Sequence, residues 1–298
     1  DIFEVQDEIV RSVTQAILGE IELASLNRAK RKPTQNMSSY EFLLRGKEGH
    51  HAIDKDANAH ALEMFDKAIA ADSANAQAYA WKACTMGQAL GRGWIEKSLE
   101  EVMPEFNKLM DHAVKADPND FELHRLLCGI STMTGKFKAA VEHGKKAYDM
   151  VPNDPRILQQ YGEILLKTGK TKQGCDLTLL ALEYDPVAQG QTNSDKRKSD
   201  AVFGCLMDDR VELGLELAEE IEACSENILL FAAALSVAKY GSLEQCPWLI
   251  KDLKTCDFEG LEAAIEEMGR YDVVVQSTLR EVFLDHVAKL QPKLQLVS

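Results

Sequence analysis

Pro118, Pro152 and Pro186 stand 34 residues apart, and the same interval separates Gly135 from Gly169 and Ala147 from Ala181. A spacing shared by three residue types with three different mechanical roles means a repeated unit of that length. Such a unit cannot bury its apolar face alone, so its copies must stack. Gly135 and Gly169 fall where a left-handed residue would reverse the chain after the first helix of a unit. Ala140 and Ala147, and likewise Gly174 and Ala181, fall on the second helix, where a larger side chain would hold two helices apart. The prolines end that second helix. Asn119/Asp120 and Asn153/Asp154 then offer N-caps for the next unit, with Pro155 in a tolerated first-turn position.

The pattern extends outward with added residues. Ala61, Phe65 and Ala68 in HALEMFDKAIAADSANAQAYAW suit the second helix of an earlier unit, with Ser73 in the place of the proline and Tyr79 opening the next. From Ser73 to Pro118 is 45 residues, so that unit carries an insertion, near Gly91–Trp94. Beyond residue 190 the register fades, but apolar periodicity predicts helices at 196–207, 209–223, 227–240, 243–255, 259–269 and 273–290. The β-branched run in YDVVVQSTL, Tyr271–Leu279, could read as strand, but its flanks are helical and helix is preferred.

Helix–turn–helix units of 34 residues with small residues and proline so placed resemble tetratricopeptide repeats. The expected fold is an all-α, right-handed helical-repeat solenoid: an N-terminal coupling helix over 1–34, four repeats over 35–188, two with insertions, and divergent helix pairs or a cap over 189–298. The resemblance implies that the first helix of each unit lines an inner groove that receives partner peptides. Positions on those helices are Gln77, Trp81, Gln88, Arg125, Met133, Arg156, Gln160, Glu163 and Lys167. Trp81 and Arg125 are of the types that dominate binding hot spots. Trp81 could equally pack on the insertion around Trp94. A clamp of basic side chains gripping a peptide carboxylate, as some family members have, is not evident from Lys167 and Arg125 alone.

In the first segment Val5, Ile9, Val13, Ile17 and Ile21 make one apolar stripe, Arg28, Lys30, Arg31 and Lys32 follow near the helix end, and Pro33 stops it. DIFEVQDEIVRSVTQAI followed by RAKRKPTQNMSSYEFLLRG resembles the junction of two kinds of bacterial multidomain signalling protein. One is the class III adenylate/guanylate cyclases with carboxyl-terminal tetratricopeptide repeats; the other is winged-helix transcriptional regulators of the same layout. Either parent would place its effector domain before Asp1, and the lack of an initiator Met agrees with a fragment. The expected role is therefore a non-catalytic partner-binding and regulatory scaffold of a cyclase-like protein. The alternatives are the sensing half of a transcriptional regulator, or a homodimer paired through residues 1–30.

Composition sets limits. The chain has 298 residues, 45% apolar and 28% charged, with a net charge of −14. That balance argues against nucleic acid or an anionic membrane as partner, and makes a basic or weakly charged protein or peptide partner electrostatically easier. The basic run Lys196–Lys198 is too short to change this and is expected to solvate a helix start. The chain has no apolar stretch long enough to span a bilayer, and its first residues are acidic where a signal peptide would be basic. Seven cysteines at long spacings fit reduced thiols packed in helices, in a cytoplasmic protein. KTGKT at Lys167–Thr171 lacks the glycine a phosphate loop needs at position 164, which is Ile. Gly129 to Gly135-Lys136 also misses that spacing, with Phe137 in the hydroxyl position. His50, His51 and His60 lack convergent partners and read as surface histidines; the run Glu212, Glu216, Glu219, Glu220 and Glu222 reads as a solvated face. No catalytic residue, cofactor or metal is expected.

Overall fold

A computed structural model describes residues 25–27, 29, 37–188, 191, 193–269 and 273–290. Every regular element among them is helical. The chain divides into two compact units, one ending at Ile157 and the other beginning at Leu158. The apolar stripe of residues 5–21 lies outside the described residues.

The first unit is built from α1 (Ser39–His51), α2 (Lys55–Ala71), α3 (Ala76–Gly91), α4 (Leu99–Ala116), α5 (Phe121–Met133) and α6 (Phe137–Met150). The division falls within α7 (Pro155–Leu166). Helix starts follow from the sequence. Ser38 and Ser98 each form a reciprocal capping box, with Glu41 and Glu101, which satisfies backbone donors that the first turn leaves unpaired. Asp54, Asn75 and Asp120 cap α2, α3 and α5. Gly135 and Gly169 take φ of 71° and 79°, as the turn after a first helix requires. Within the unit α1 packs on α2, α3 on α4 and α5 on α6, and contacts also join α1 to α3 and α3 to α5. The first helices of successive repeats therefore lie side by side, and their shared face is where residues from three repeats can meet.

The expected small residues do pack at closest approach. Ala61, Ala68, Ala140 and Ala147 are completely buried. Phe65, also fully buried, presses its ring on Gly46, where an added Cβ would lie 2.4 Å from Cε1.

The second unit contains α8 (Thr171–Tyr184), α9 (Asp195–Met207), α10 (Val211–Glu219), α11 (Glu226–Tyr240), α12 (Pro247–Leu253), α13 (Phe258–Met268) and α14 (Val273–Val282). A π-turn at Phe283–Val287 and a 3-10 turn at Ala288–Leu290 close it. The β-branched segment is thus helix from Val273 onward. The helix expected over 209–223 is shorter, ending at Glu219. α11 is buried all round from Ile228 to Ser236 and contacts α9, α10, α13 and α14 as the centre of this unit. At Gly174 an added Cβ would lie 2.7 Å from Leu166 Cγ and 2.8 Å from the Gly162 carbonyl, so the small residue is sterically required.

The basic run departs from expectation. It does open α9, but Arg197 is only 1% exposed. Its guanidinium donates to the Asp185 carbonyl at 3.1 Å, to the Asp185 carboxylate at 3.2 Å, and to the Gln159 side-chain oxygen. Lys196 stays exposed and pairs with Asp200, while Lys198 is partly buried and pairs with Glu220. The acidic run on α10 is exposed throughout. The cysteines are all free thiols, with Cys128, Cys175 and Cys205 completely buried. Among the described residues no helix is long and apolar enough to cross a membrane.

Candidate partner-binding face

On the row formed by α1, α3 and α5 one cluster brings together side chains from each helix. Trp81, on α3, is 2% exposed. The rings of His50 and His51, at the end of α1, stand edge-on to it with centroids 5.1 and 5.4 Å away. Lys47 Nζ lies 5.6 Å from the indole centroid, and the Arg125 guanidinium carbon, from α5, lies 5.5 Å from it. Each desolvated cation on an indole contributes on the order of 1–2 kcal/mol. Lys47 and His51 meet the same ring because they are four residues apart on α1.

Arg125 is fixed from the far side. Glu122, one turn earlier on α5, accepts from its Nε and Nη2 at 2.9 Å each, and the pair is almost fully buried. Arg156, in the first turn of α7, approaches the same carboxylate at 3.5 Å and is held by Asp154 at 2.6 Å. Burial alone would push the Glu122 carboxyl upward. Arg125, Arg156 and Lys47 outweigh it and hold the group well below the usual carboxylate range. Asp154 is likewise held low: burial opposes ionisation, but the Arg156 hydrogen bonds prevail.

The histidines are neutral at physiological pH. Burial, then Arg125, lowers His50 to about 4. Burial, then His50, Arg125, Lys47 and Arg156, lowers His51 to about 3. Thr85 donates its hydroxyl to the Trp81 carbonyl at 2.8 Å, so His50 Nδ1, 2.9 Å from that hydroxyl, must be the donor between them. Gln88 accepts from Asn58 at 2.8 Å and donates to the His50 carbonyl at 3.2 Å. Trp81 Nε1 and His51 Nε2 are buried, and neither has a hydrogen-bond partner among the described residues. Lys47, Arg125 and Arg156 gather with Glu122 and Asp154 around the neutral imidazoles.

Of the positions singled out from the sequence, the structure brings together Trp81, Arg125 and Arg156, with Gln88 bracing them through His50. It places Trp81 and Arg125 beneath the surface, at 2% and 6% exposure, and no longer as outward-facing anchors. Trp81 is enclosed by Lys47, His50, His51 and Arg125, while Trp94 carries a cation of its own, Arg92. Gln77 is a brace, donating to the Asp120 cap at 2.8 Å. Met133 is 74% exposed. Eleven residues beyond Glu122, it falls on the same face of α5 about three turns on. Gln160, Glu163 and Lys167 belong to the second unit, where Glu163 and Lys167 pair at 2.7 Å. Lys47, His50, His51 and Glu122 were missed; the spacing of Lys47 and His51 was the available signal. Of the three histidines read as surface residues, only His60 is exposed. Among the described residues no three His, Cys, Asp or Glu side chains converge as metal ligands would.

No protein-family model matches the chain, and no curated protein does. Solved structures do resemble it. One is pilF of Pseudomonas aeruginosa, at TM-score 0.51 and 11% identity, covering 81% of this chain and 96% of that one. A second is a chain of the APC/C hetero-tetramer Cut9–Hcn1, at TM-score 0.55 and 13% identity, covering 89% of this chain and 46% of that one. A weaker likeness, at TM-score 0.47 and 14% identity, is to TTC0263, a thermophilic TPR protein of Thermus thermophilus, over 67% of this chain and 100% of that one. At such identities the first two bear on fold alone, and they agree with the paired helices and 34-residue period in an all-α tetratricopeptide-like repeat.

Proposed function

We propose that this chain is a non-catalytic protein-interaction scaffold whose α1–α3–α5 face takes an acidic segment of a partner. The partly exposed Arg156 guanidinium, set beside the buried Arg125–Glu122 pair where successive repeats share a face, supports this reading. Exposed Met133 and half-exposed Arg156 are the contact residues. Trp81, Arg125 and Glu122 form a fixed floor beneath them, which lowers the ordering cost of binding. The net charge of the chain favours a basic partner at long range, but exposed charges are screened beyond about 8 Å in physiological salt. A contact made directly with Arg156 is screened less, so there the guanidinium favours a carboxylate.

The test is a set of fluorescein-labelled peptides of equal length, acidic, neutral and basic, titrated against the whole chain. Acidic peptides should bind at least about tenfold tighter, equivalent to about 1.4 kcal/mol. Arg156→Gln, a partly exposed position, should remove that preference. Equal affinity for the three peptides, or indifference to Arg156→Gln, would refute the acidic-segment reading.

The wider context is also a proposal. The junction wording of residues 1–17 and 28–46 supports a regulatory region of a larger bacterial, cytoplasmic signalling protein of the cyclase type. A winged helix encoded upstream of Asp1 would instead make the chain the input half of a transcriptional regulator. Self-association through residues 1–30 is tested by sedimentation with and without that segment.

A further inference from the structure

Away from the Trp81 cluster, on the side of α5 that meets α6, two imidazoles face each other. His124 is 3% exposed, and its ring stacks on that of His143 with centroids 5.2 Å apart and planes 24° apart. Their Nδ1 atoms are 3.0 Å apart. His124 Nε2 lies 2.9 Å from the Pro118 carbonyl. A carbonyl only accepts, so His124 Nε2 carries hydrogen. In the neutral ring Nδ1 is then a lone pair, and His143 Nδ1 must donate to it. One added proton is compatible with this geometry, because a charged imidazole on either side can donate to a lone pair on the other. Two added protons are not: both Nδ1 atoms would carry hydrogen and face each other at hydrogen-bond distance with like charge behind them.

We propose that the His124–His143 pair is a proton-operated latch on the α5–α6 hairpin, closed while the pair holds at most one added proton and released when both rings are charged. The inference is independent of the acidic-segment reading, since the pair lies on a different side of α5. On α6, Glu142 and Lys146 flank His143. At the start of α5, Asp120 is the cap, accepting from Leu123 N and from Gln77, the side chain by which α3 reaches this end. Burial lowers the affinity of His143 for a proton, His124 and Lys146 add to this, and Glu142 opposes it. A folded value below the unfolded imidazole value of about 6.5 places the stabilisation above that pH and loses it as pH falls toward the folded value. If the closed pair refuses one proton that the open pair accepts, the open-to-closed ratio approaches a tenfold rise per pH unit below about 6.5, or about fifteenfold from pH 6.5 to pH 5.

The test uses the whole chain in two measurements. Histidine-selective 15N NMR at about pH 7.5 should find His124 as the Nε2–H tautomer and His143 as the Nδ1–H tautomer, titrating in two separated steps. Independent titration of the two rings near 6.5 would overturn the latch without any variant. Hydrogen exchange, corrected for intrinsic rates, should show Phe137–Met150 losing at least about tenfold protection between about pH 7.5 and pH 5. His143→Gln, whose amide can donate to the same Nδ1 but does not ionise, should keep that protection. An equal acid loss in His143→Gln would also overturn the proposal.

Discussion

In Arg125→Met the side chain keeps most of its length but loses its charge, and Glu122 loses both 2.9 Å hydrogen bonds. Glu122 has no route to water, since its side chain is 3% exposed, and its other partner, Arg156, is 3.5 Å away and bound to Asp154. The carboxylate must then stay charged with one distant partner or take up a proton in a site built for the anion. Breaking a buried pair from one side costs about 3–5 kcal/mol, because the remaining charge is uncompensated. For a unit of this size that is a fall in Tm of roughly 10 °C. The double variant Arg125→Met/Glu122→Gln removes the stranded charge and should recover at least about half of the loss, since matched neutral replacements of buried pairs are often near neutral. Urea unfolding followed by tryptophan fluorescence reads both variants, because Trp81 contacts Arg125 directly. A single-variant cost under about 1 kcal/mol, or a double variant as unstable as the single, would refute a buried, charged Glu122 as the reason Arg125 is held there.

Three further outcomes follow from the same geometry. Gly174→Val puts branched carbons where a Cβ already meets Leu166 at 2.7 Å; overpacking should cost about 1–3 kcal/mol by chemical denaturation, and a neutral result would contradict the close approach. Arg197→Met leaves the Asp185 carbonyl and the Gln159 oxygen without their buried donor, while the 40% exposed Asp185 carboxylate can turn to water, and should destabilise the second unit by about 1–3 kcal/mol, whereas a surface lysine such as Lys196 replaced by Gln should change stability by less than about 0.5. His50 and His51, lowered to about 4 and about 3, contribute stability fully present above the unfolded value and lost as pH falls below it. His51→Gln should therefore flatten the fall in unfolding free energy below about pH 6.5 by up to about 1.4 kcal/mol per pH unit, and an unchanged slope would count against a buried neutral His51.

What could be read before folding was what each residue does through its own backbone or size. Gly135 and Gly169 were legible because a positive φ is a local demand, and Ala140, Ala147 and Gly174 because a close helix contact tolerates few side chains. The prolines and the caps at Asp120 and Asp154 were legible for the same reason. The helices beyond residue 190 followed from apolar period alone, although the run over 209–223 stops at Glu219, where periodicity gave no stop signal. Depth was not legible. Arg125 and Glu122 look like an ordinary exposed pair three residues apart, and only the packing of α3 and α5 side by side removes both from water. Arg197 was misread similarly: flanked by two lysines it resembles a solvated run, yet helical rotation sends the middle residue inward while its neighbours stay out.

Depth also decides what the net charge of the chain can mean. Carboxylates such as the five on and just after α10 are exposed and act on a partner only at distances that salt shortens. Lys47, Arg125 and Arg156 act at contact, in a region where burial is strong enough to lower two histidines and where even a carboxylate is kept charged by its neighbours. If the face takes an acidic segment as proposed, the two sets oppose each other in its approach. On that reading the exposed set slows association, and the buried set slows dissociation. Raising ionic strength should then speed association of an acidic peptide while changing its dissociation rate little, the reverse of a steered basic ligand. Stopped-flow binding at two salt concentrations separates these cases, and association that slows with salt would mean that the exposed surface, and not the Trp81 cluster, governs what this chain binds.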